Sequence, residues 1–518
     1  MKELLDGYSG TECCFWDGDD LFTFLDCLEL AAPKAAAITV TIPAIHTVAT
    51  NTISTGTATL RNMHRAILTL FALTTVLLSP LRCAAAPTKP NIIICMTDDQ
   101  GWGDVACYGH KIVKTPHLDK MASHGIRFER FYANASMCSP TRAGTLTGRN
   151  NLRMGIGGPI ASGRGHLPAR EITLAEAIRD AGYTSGHFGK WHLGDIVNEE
   201  DPAHIMHPGL AGFDEWFTTR NVLPTHNPYN GKFGRDHHYY HNGRYVPESE
   251  GITGDDSAIV MDRTLQWIRK SAQQPDKPFF AFVCFHAVHN PLGMIPKYQQ
   301  LYAAEGKKGV YYSNLTAIDA AMGRLRDELR TLKIGDNTML WFCSDNGPNL
   351  KGDLDNAQGP GSKGPFRGSK GNLYEGGVRV PGILEWPAVV KQPRVEKAMV
   401  VTTDLFPTIL EMINMPMPAR PYDGVSVMKL IRGEPFERMN PVGFAAKGWR
   451  ALQNDRYKLL RRKGKDTEYE LYDMAADPFE KSDLASSQPQ RVEQMRVALE
   501  AWVKSCEQSQ AGNDYGAK

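Results

Sequence analysis

Three short apolar runs, each followed at once by polar side chains, constrain the fold of this chain more than any other feature. The runs cover residues 91–96, 279–285 and 339–343. None of them alternates apolar with polar residues, which indicates strands buried on both faces, as in parallel sheets. Segments with helical spacing lie between them, for example residues 318–332. The pattern predicts an α/β domain with a mostly parallel mixed sheet flanked by helices.

The polar residues that end these runs predict a shared binding site. Asp98 and Asp99 follow the first run, His289 lies just beyond the second, and Asp345 and Asn346 follow the third. In parallel sheets, ligands bind beyond the carboxyl ends of the strands. Three carboxylates and one amide oxygen form an all-oxygen set, which suits Ca²⁺ or Mg²⁺ better than a thiolate-binding metal.

A cysteine lies where a helix is predicted to begin. Pro140 suits the first turn of a helix, because it lacks the N–H group that would be unsatisfied there. Cys138 then lies just ahead of the helix, facing free amides and the positive end of the helix dipole, with Arg142 adding charge. This position suits an anion, and it predicts a depressed pKa and high reactivity for an unmodified thiol. A structural cysteine at a helix start is the alternative.

Several motifs resemble those of one enzyme family, the sulfatases. The run Cys138-Ser139-Pro140-Thr141-Arg142, followed by Leu146-Thr147-Gly148-Arg149, resembles the Cys-x-Pro-Ser-Arg signature around the sulfatase active-site residue, with Thr141 in place of serine. The other motifs, which occur in family order between about residues 90 and 475, are Thr97-Asp98-Asp99-Gln100-Gly101, Gly189-Lys190-Trp191-His192-Leu193-Gly194, His289-Asn290-Pro291, Ser344-Asp345-Asn346-Gly347 and Gly368-Ser369-Lys370-Gly371. Without the family, the segment 186–194 reads as a glycine-rich turn.

The resemblance implies a cofactor set and a modified residue. Asp98, Asp99, Asp345 and Asn346 would bind Ca²⁺, with Mg²⁺ as the other candidate. Cys138 would be oxidised to formylglycine by a formylglycine-generating or sulfatase-maturating enzyme. Because Thr141 keeps a hydroxyl group, we expect only a modest effect of this substitution on maturation.

The resemblance also implies an activity, the hydrolysis of sulfate monoesters. The hydrate of formylglycine would attack sulfur, while Arg142, Lys190 and Lys370 neutralise the sulfate. His289, together with Lys370, would protonate the leaving oxygen. His192 would then remove a proton from the second hydroxyl of residue 138, which expels sulfate and restores the aldehyde.

Other residues in these motifs are interpreted as structural. His187 has no role in the family and is expected to be structural, and the role of His286 is left open. Glu375 and Arg379 are expected to form a structural ion pair.

Charge and cysteine content exclude several classes of protein. Lys and Arg number 58 against 57 Asp and Glu, a net charge of +1, so nothing favours nucleic-acid binding. The cysteines beyond residue 86 form no Cys-x-x-Cys pair, which argues against a zinc site and against a disulfide scaffold.

The first part of the chain predicts export. Residues 63–86 resemble a secretory signal peptide, with Met63 and Arg65 ahead of an apolar core at 66–78 and small residues at 84–86. The core is too short to span a membrane. Residues 1–62 are left unassigned, and Met63 is the expected start. A secreted or periplasmic protein is therefore predicted.

The rest of the chain is predicted to form two domains and a tail. Residues 87–434 form the catalytic domain and residues 435–506 a smaller α+β domain with an antiparallel sheet. Residues 507–518 are expected to be flexible. Short strands are predicted at 449–452, 457–460 and 470–473, followed by an amphipathic helix. The apolar stripe of this helix consists of Val492, Met495, Leu499, Trp502, Val503 and Cys506.

Three alternative interpretations remain open. One is a phosphonate or phosphate ester hydrolase of the same superfamily, and another is a non-catalytic protein that binds sulfated glycans. A transition-metal site at His226, His237, His238 and His241 is less favoured than a substrate-facing loop, because the spacing fits no defined site. The Tyr, His and Asn content of residues 195–254 favours a sulfated carbohydrate substrate, with aryl sulfates as artificial substrates.

Overall fold

The structure is a computed structural model, and it describes residues 89–197, 202–229, 238–250, 252–351 and 360–515. The extension at 1–62 and the signal peptide predicted at 63–86 lie outside these residues, as do parts of the segment 195–254. None of the described helices combines the length and the apolar character needed to cross a bilayer.

Strands in the described residues are numbered in chain order. They are β1 (Asn91–Thr97), β2 (Ile126–Phe128), β3 (Phe131–Tyr132), β4 (Thr184–Lys190), β5 (Glu215–Thr219), β6 (Tyr240–His241), β7 (Arg244–Tyr245), β8 (Phe279–Cys284), β9 (Thr338–Ser344), β10 (Gly382–Glu385), β11 (Arg394–Glu396), β12 (Val400–Val401), β13 (Val442–Ala446), β14 (Trp449–Gln453), β15 (Tyr457–Arg461) and β16 (Tyr469–Asp473).

A mixed sheet of ten strands forms the centre of the fold, in the order β11-β2-β10-β9-β1-β8-β4-β5-β6-β7. The neighbouring strands β9, β1, β8, β4 and β5 all run parallel. Antiparallel strands, β10 and β6, pair with the two outer members of this group. The predicted α/β fold with a mostly parallel mixed sheet is confirmed.

Helices cover both faces of this sheet. The α-helices in the described residues are α1 (Pro116–His124), α2 (Cys138–Thr147), α3 (Leu174–Ala177), α4 (Asp256–Ser271), α5 (Lys307–Thr331), α6 (Glu375–Val378), α7 (Leu405–Met412), α8 (Met428–Arg432) and α9 (Pro489–Gln510). Ile92 and Ile94 of β1 pack in one apolar cluster with α2, α3, α7 and α8. Ile93 and Cys95 pack in a second cluster with α1, α4 and α5. Side chains of β1 therefore alternate between two helical layers.

Strands β13, β14, β15 and β16 form a separate antiparallel sheet. Helix α9 covers one face of it, since Met495 and Leu499 pack with Leu459 and Leu471. The fold class predicted for the C-terminal part of the chain, α+β with an antiparallel sheet, is confirmed.

The tail predicted to be flexible from residue 507 is helical at its start and makes side-chain contacts in the part that is described. Helix α9 continues past residue 507, and Arg149 donates a hydrogen bond of 2.9 Å to Asp514. The ring of Tyr515 lies 4.5 Å from the guanidinium carbon of Arg170 and 5.1 Å from that of Arg420. These arginines are distant in sequence, so the polar composition of the tail gave no sign of the contacts.

Interpreting residues 186–194 as a turn was wrong for residues 186–190. The first part of this segment lies in β4, between β8 and β5 in the middle of the sheet. Gly189 has a φ of +97°, and a Cβ atom there would lie 2.0 Å from the carbonyl oxygen of Cys284. Glycine is therefore needed for close contact between two strands rather than for a turn.

A buried ion cluster joins the antiparallel sheet to the segment that carries Lys370. Lys458 of β15 is fully buried, and its Nζ lies 3.0 Å from Glu375 and 2.8 Å from Glu480. The ion pair predicted between Glu375 and Arg379 is present, with 3.3 Å between the charged groups. Removing one member of such a cluster leaves buried charges unpaired.

We expect Lys458→Met to lower the free energy of unfolding by about 3–5 kcal/mol, because two buried carboxylates lose their cation. Urea denaturation followed by tryptophan fluorescence measures this change. Lys465→Met is the matched control, since Lys465 pairs with Glu468 but has a side chain that is 53% exposed. A loss of about 1 kcal/mol or less, the size expected for surface pairs, would contradict this assignment for Lys458.

Candidate active site

Five parallel strands end at one edge of the central sheet, and each is followed by polar residues. Asp345 and Asn346 follow β9, and Asp98 and Asp99 follow β1. His286 and His289 come after β8. Lys190 ends β4, with His192 beyond it, and Arg220 follows β5. Because parallel strands have their carboxyl ends at the same edge, these side chains collect in one place.

Cys138 is brought to this edge by helix α2. The residue is the first of the helix, not the residue ahead of it as predicted, and Met137 is the N-cap. Its Sγ atom lies 3.6 Å from Oδ1 of Asp98 and 3.5 Å from Nζ of Lys370. The hydroxyl of Thr141 donates to the carbonyl of Ala135 within the buried helix start. Residue 138 is therefore in contact with residues of two other motifs.

The predicted depression of the Cys138 pKa is wrong. Burial raises the pKa of this thiol to about 12, and the carboxylate of Asp98 acts in the same direction. Lys190 and Lys370 oppose this rise but do not reverse it. Burial thus disfavours the thiolate of the unmodified side chain, which is its nucleophilic form.

Arg142 is fully buried beside residue 138 and holds the site together. Its Nε and Nη2 atoms donate to one carboxylate oxygen of Asp345 at 3.0 and 2.8 Å. Its Nη1 donates to the main-chain carbonyl of Lys190 at 2.9 Å. This side chain therefore connects three strand ends, since its Nη2 also lies 3.8 Å from Asp98.

Two lysines neutralise the adjacent carboxylates. The ammonium group of Lys190 is fully buried and donates to Asp98, while that of Lys370 donates to Asp99. Although burial acts to raise it, these and other cations hold the pKa of Asp98 well below its usual range. Burial and the charge of Asp98 raise the pKa of Asp345 to about 7.

The four predicted metal ligands meet at this point. The amide Nδ2 of Asn346 donates to Asp99 at 2.7 Å, and the main-chain N–H of Asp99 donates to Asp345 at 3.3 Å. Ligand atoms of Asp98, Asp99, Cys138 and His289 all lie within 4.8 Å of one another. The Oδ1 atom of Asn346 is buried and accepts no hydrogen bond from the described residues. An unsatisfied buried oxygen beside carboxylates fits a hard divalent cation.

His192 lies at the inner side of the site. The residue has a positive φ of 59° and is only 4% exposed. Neither ring nitrogen has a hydrogen-bond partner among the described residues. Burial, helped by Lys190 and Arg142, moves the pKa of His192 well below its usual value. A neutral imidazole with an available nitrogen is able to accept a proton.

His289 lies at the open side. Its side chain is 21% exposed, and its Nε2 lies 3.7 Å from Asp99. Its Nδ1 lies 2.6 Å from the carbonyl of Asn290, which only accepts hydrogen bonds, so Nδ1 carries a proton. In the neutral ring, Nε2 then carries the free lone pair.

The other motif histidines have structural contacts. His187 is buried between Trp191, Phe213 and Phe282. His286 lies 2.8 Å from Asp256 through Nδ1 and 2.5 Å from the hydroxyl of Thr219 through Nε2. The sequence did not point to these two partners, because both are remote from His286 along the chain.

The described histidines of the segment 226–241 do not converge on one metal site. His238 lies 2.8 Å from the hydroxyl of Tyr245, and His241 lies 2.6 Å from Glu215. The ring of His226 lies against Gly293. His237 lies outside the described residues.

Two family models match the chain. Residues 90–415 match the model described as Sulfatase, and residues 367–508 match the model of the N-sulphoglucosamine sulphohydrolase C-terminal region. Among curated proteins, human N-acetylgalactosamine-6-sulfatase is 33% identical over 68% of this chain and 68% of its own length. Human arylsulfatase G is 33% identical over 71% of this chain and 75% of its own.

Solved structures show the same fold. Ps i-CgsB in complex with k-i-k-neocarrahexaose has a TM-score of 0.72 and 25% identity, covering 81% of this chain and 94% of that one. The phosphonate monoester hydrolase of Agrobacterium radiobacter has a TM-score of 0.56 and 19% identity, over 81% and 96% of the two chains.

Proposed function

The chain belongs to the sulfatase family of sulfuric ester hydrolases, and on this basis we propose that it hydrolyses sulfate monoesters with formylglycine, made from Cys138, as its nucleophile. The observation that carries the proposal is the contact of residue 138 with both Asp98 and Lys370. A cation, a carboxylate and the nucleophile position thus meet at the start of a helix.

Charge neutralisation comes from residues that are held rigidly. Lys190 and Arg142 are fully buried, and Lys370 reaches residue 138 from the other side. A sulfate group bound at residue 138 would lie among these cations and near the amides at the start of α2. Such preorganised charges commonly contribute about 3–4 kcal/mol each to transition-state stabilisation.

Each of the two proton transfers is assigned to a different histidine. His289, on the open side, donates a proton from Nε2 to the departing oxygen. His192, buried and neutral, takes a proton from a hydroxyl of residue 138, so that sulfate leaves. When position 138 carries the hydrated aldehyde, it supplies one hydroxyl for attack on sulfur and a second for release. Burial lowers the pKa of His289 as well, while the carboxylates of Asp98 and Asp99 act to raise it. His289 therefore acts as the acid in its doubly protonated form, with one proton on each ring nitrogen.

A divalent cation, Ca²⁺ or Mg²⁺, fits among Asp98, Asp99, Asp345 and Asn346. When bound, it supplies further positive charge for the sulfate oxygens. The unsatisfied Oδ1 of Asn346 and the converging carboxylates support this ligand set.

We expect removal of this cation to reduce activity strongly. Dialysis against EDTA should lower turnover of 4-nitrophenyl sulfate by at least about 100-fold, because transition-state charge stabilisation is lost. Titration with Ca²⁺ and then Mg²⁺ identifies the ion by recovery. Asn346→Ala should raise the Ca²⁺ concentration needed for recovery, whereas Asn337→Ala, outside the site, should not. Full activity in EDTA would contradict the metal assignment.

A comparison of artificial substrates tests the alternative function, hydrolysis of phosphonate or phosphate esters. 4-Nitrophenyl sulfate, 4-nitrophenyl phosphate and a 4-nitrophenyl phosphonate ester are compared by kcat/KM. The proposal expects the sulfate to be the best substrate. Preference for either phosphorus ester would overturn it, and no turnover of any ester would support the glycan-binding alternative.

The natural substrate proposed is a sulfated carbohydrate. A relative with 33% identity is named N-acetylgalactosamine-6-sulfatase, and a structural neighbour binds a neocarrahexaose. The proposal also includes export through the signal at 63–86, to the periplasm or outside the cell, and maturation by a formylglycine-generating or sulfatase-maturating enzyme.

A further inference from the structure

Two charged side chains border His192 and take no part in the reaction described above. Asp195 follows His192 closely along the chain, and Arg220 follows the last residue of β5. The main-chain N–H of His192 donates to the carbonyl of Arg220 at 2.8 Å. Arg220 therefore lies at the same sheet edge as the reacting groups.

These two side chains face each other without forming a hydrogen bond. Nη1 of Arg220 lies 3.7 Å from Oδ1 of Asp195, which is beyond hydrogen-bonding distance. The Nε atom of Arg220 is buried and has no hydrogen-bond partner among the described residues. The side chains are only 14% and 3% exposed. A guanidinium group in this setting has donors left for a ligand.

A loop connects this pair to the nucleophile. The hydroxyl of Ser162 and the main-chain N–H of Gly163 donate to Asp195 at 3.2 and 3.0 Å. The N–H of Ile160, in the same loop, donates to the hydroxyl of Ser139 at 3.0 Å, next to residue 138. One loop therefore contacts both Asp195 and Ser139, the residue that follows position 138.

We propose that Arg220 and Asp195 bind a hydroxyl group of the sugar that carries the sulfate, which makes them specificity-determining residues. A hydroxyl both accepts and donates, so it can accept from Arg220 while it donates to Asp195. A second sulfate or a carboxylate only accepts, and it would face the charge of Asp195. The inference rests on the proposed function and narrows its substrate to sugars with a hydroxyl near the sulfate.

The test compares a sugar with an aryl sulfate. Wild type, Arg220→Ala and Asp195→Asn are assayed on 4-nitrophenyl sulfate and on the best-cleaved member of a panel of monosulfated hexoses and N-acetylhexosamines. We expect kcat/KM for the sugar to fall by about 10- to 100-fold, mainly through KM, because a buried polar contact is lost. For 4-nitrophenyl sulfate we expect kcat/KM to change by no more than about twofold. Arg269→Ala, which removes an exposed arginine paired with Glu328, is the control.

A deoxy sugar separates recognition from a structural role. The effect of Arg220→Ala should vanish on the sulfated substrate that lacks the recognised hydroxyl, as expected for a double-mutant cycle. Equal losses on sugar and aryl sulfate would overturn the inference and make the pair a support for His192. No loss on either substrate, or a wild type that cleaves aryl sulfate but no sugar, would also overturn it. A wild type that cleaves neither would instead overturn the proposed function.

Discussion

Cys138→Ser is expected to lose steady-state turnover of 4-nitrophenyl sulfate by at least about 1,000-fold, because the nucleophile is the hardest group to replace. The variant should still release one equivalent of nitrophenol and then carry a covalent sulfate on residue 138. A serine ester has no second hydroxyl on the same carbon, so sulfate can leave only when water attacks it. Rapid-mixing kinetics and the mass of the tryptic peptide Phe131–Arg142 measure both effects.

Two controls accompany this variant. The same mass spectrum must show that residue 138 is still serine. Cys107→Ser changes a partly exposed thiol outside the site and should keep wild-type turnover. Full turnover by Cys138→Ser without an initial burst would rule out the two-hydroxyl mechanism.

Arg142→Leu should cost both stability and activity. It removes a fully buried guanidinium, which takes away two donors from one oxygen of Asp345 and one donor from the carbonyl of Lys190. The free energy of unfolding should fall by about 3–5 kcal/mol, as for other broken buried ion pairs. Turnover should fall by at least about 100-fold, since one cation near the sulfate is lost.

The conservative variant separates charge from geometry at this position. Arg142→Lys keeps a positive charge but has no planar fork for Asp345, so we expect intermediate losses of stability and activity. Arg269→Leu, at an exposed pair, should change stability by about 0.5 kcal/mol or less. Denaturation and steady-state kinetics of all three proteins are compared. Wild-type stability in Arg142→Leu would contradict the linking role of this residue.

The central strands could be predicted because their apolar composition alone indicates burial, without knowledge of contacts to distant residues. A run such as 91–96 is apolar throughout, and that alone indicates a strand buried on both faces. The acids that follow β1 and β9 were predicted to meet because parallel strands share an edge. The structure brings Asp98, Asp99, Asp345 and Asn346 into contact there.

What the sequence did not predict depends on tertiary contacts. Strand β4 was missed because Gly186 and Gly189 have low strand propensity, although close packing against β8 requires one of them. The shift in the pKa of Cys138 was predicted from the helix start and the charge of Arg142, whereas burial determines the direction of the shift. Arg220 and Asp195 face each other because β5 pairs with β4, and the sequence did not predict this pairing.

The most direct measurement is mass spectrometry of the tryptic peptide Phe131–Arg142 from protein purified from its native host. Turnover of 4-nitrophenyl sulfate is measured on the same sample. We expect formylglycine at position 138 in a sample that hydrolyses the aryl sulfate. Unmodified cysteine in every copy of an equally active sample would contradict it, because the buried thiol of Cys138 would then be the only group at that position.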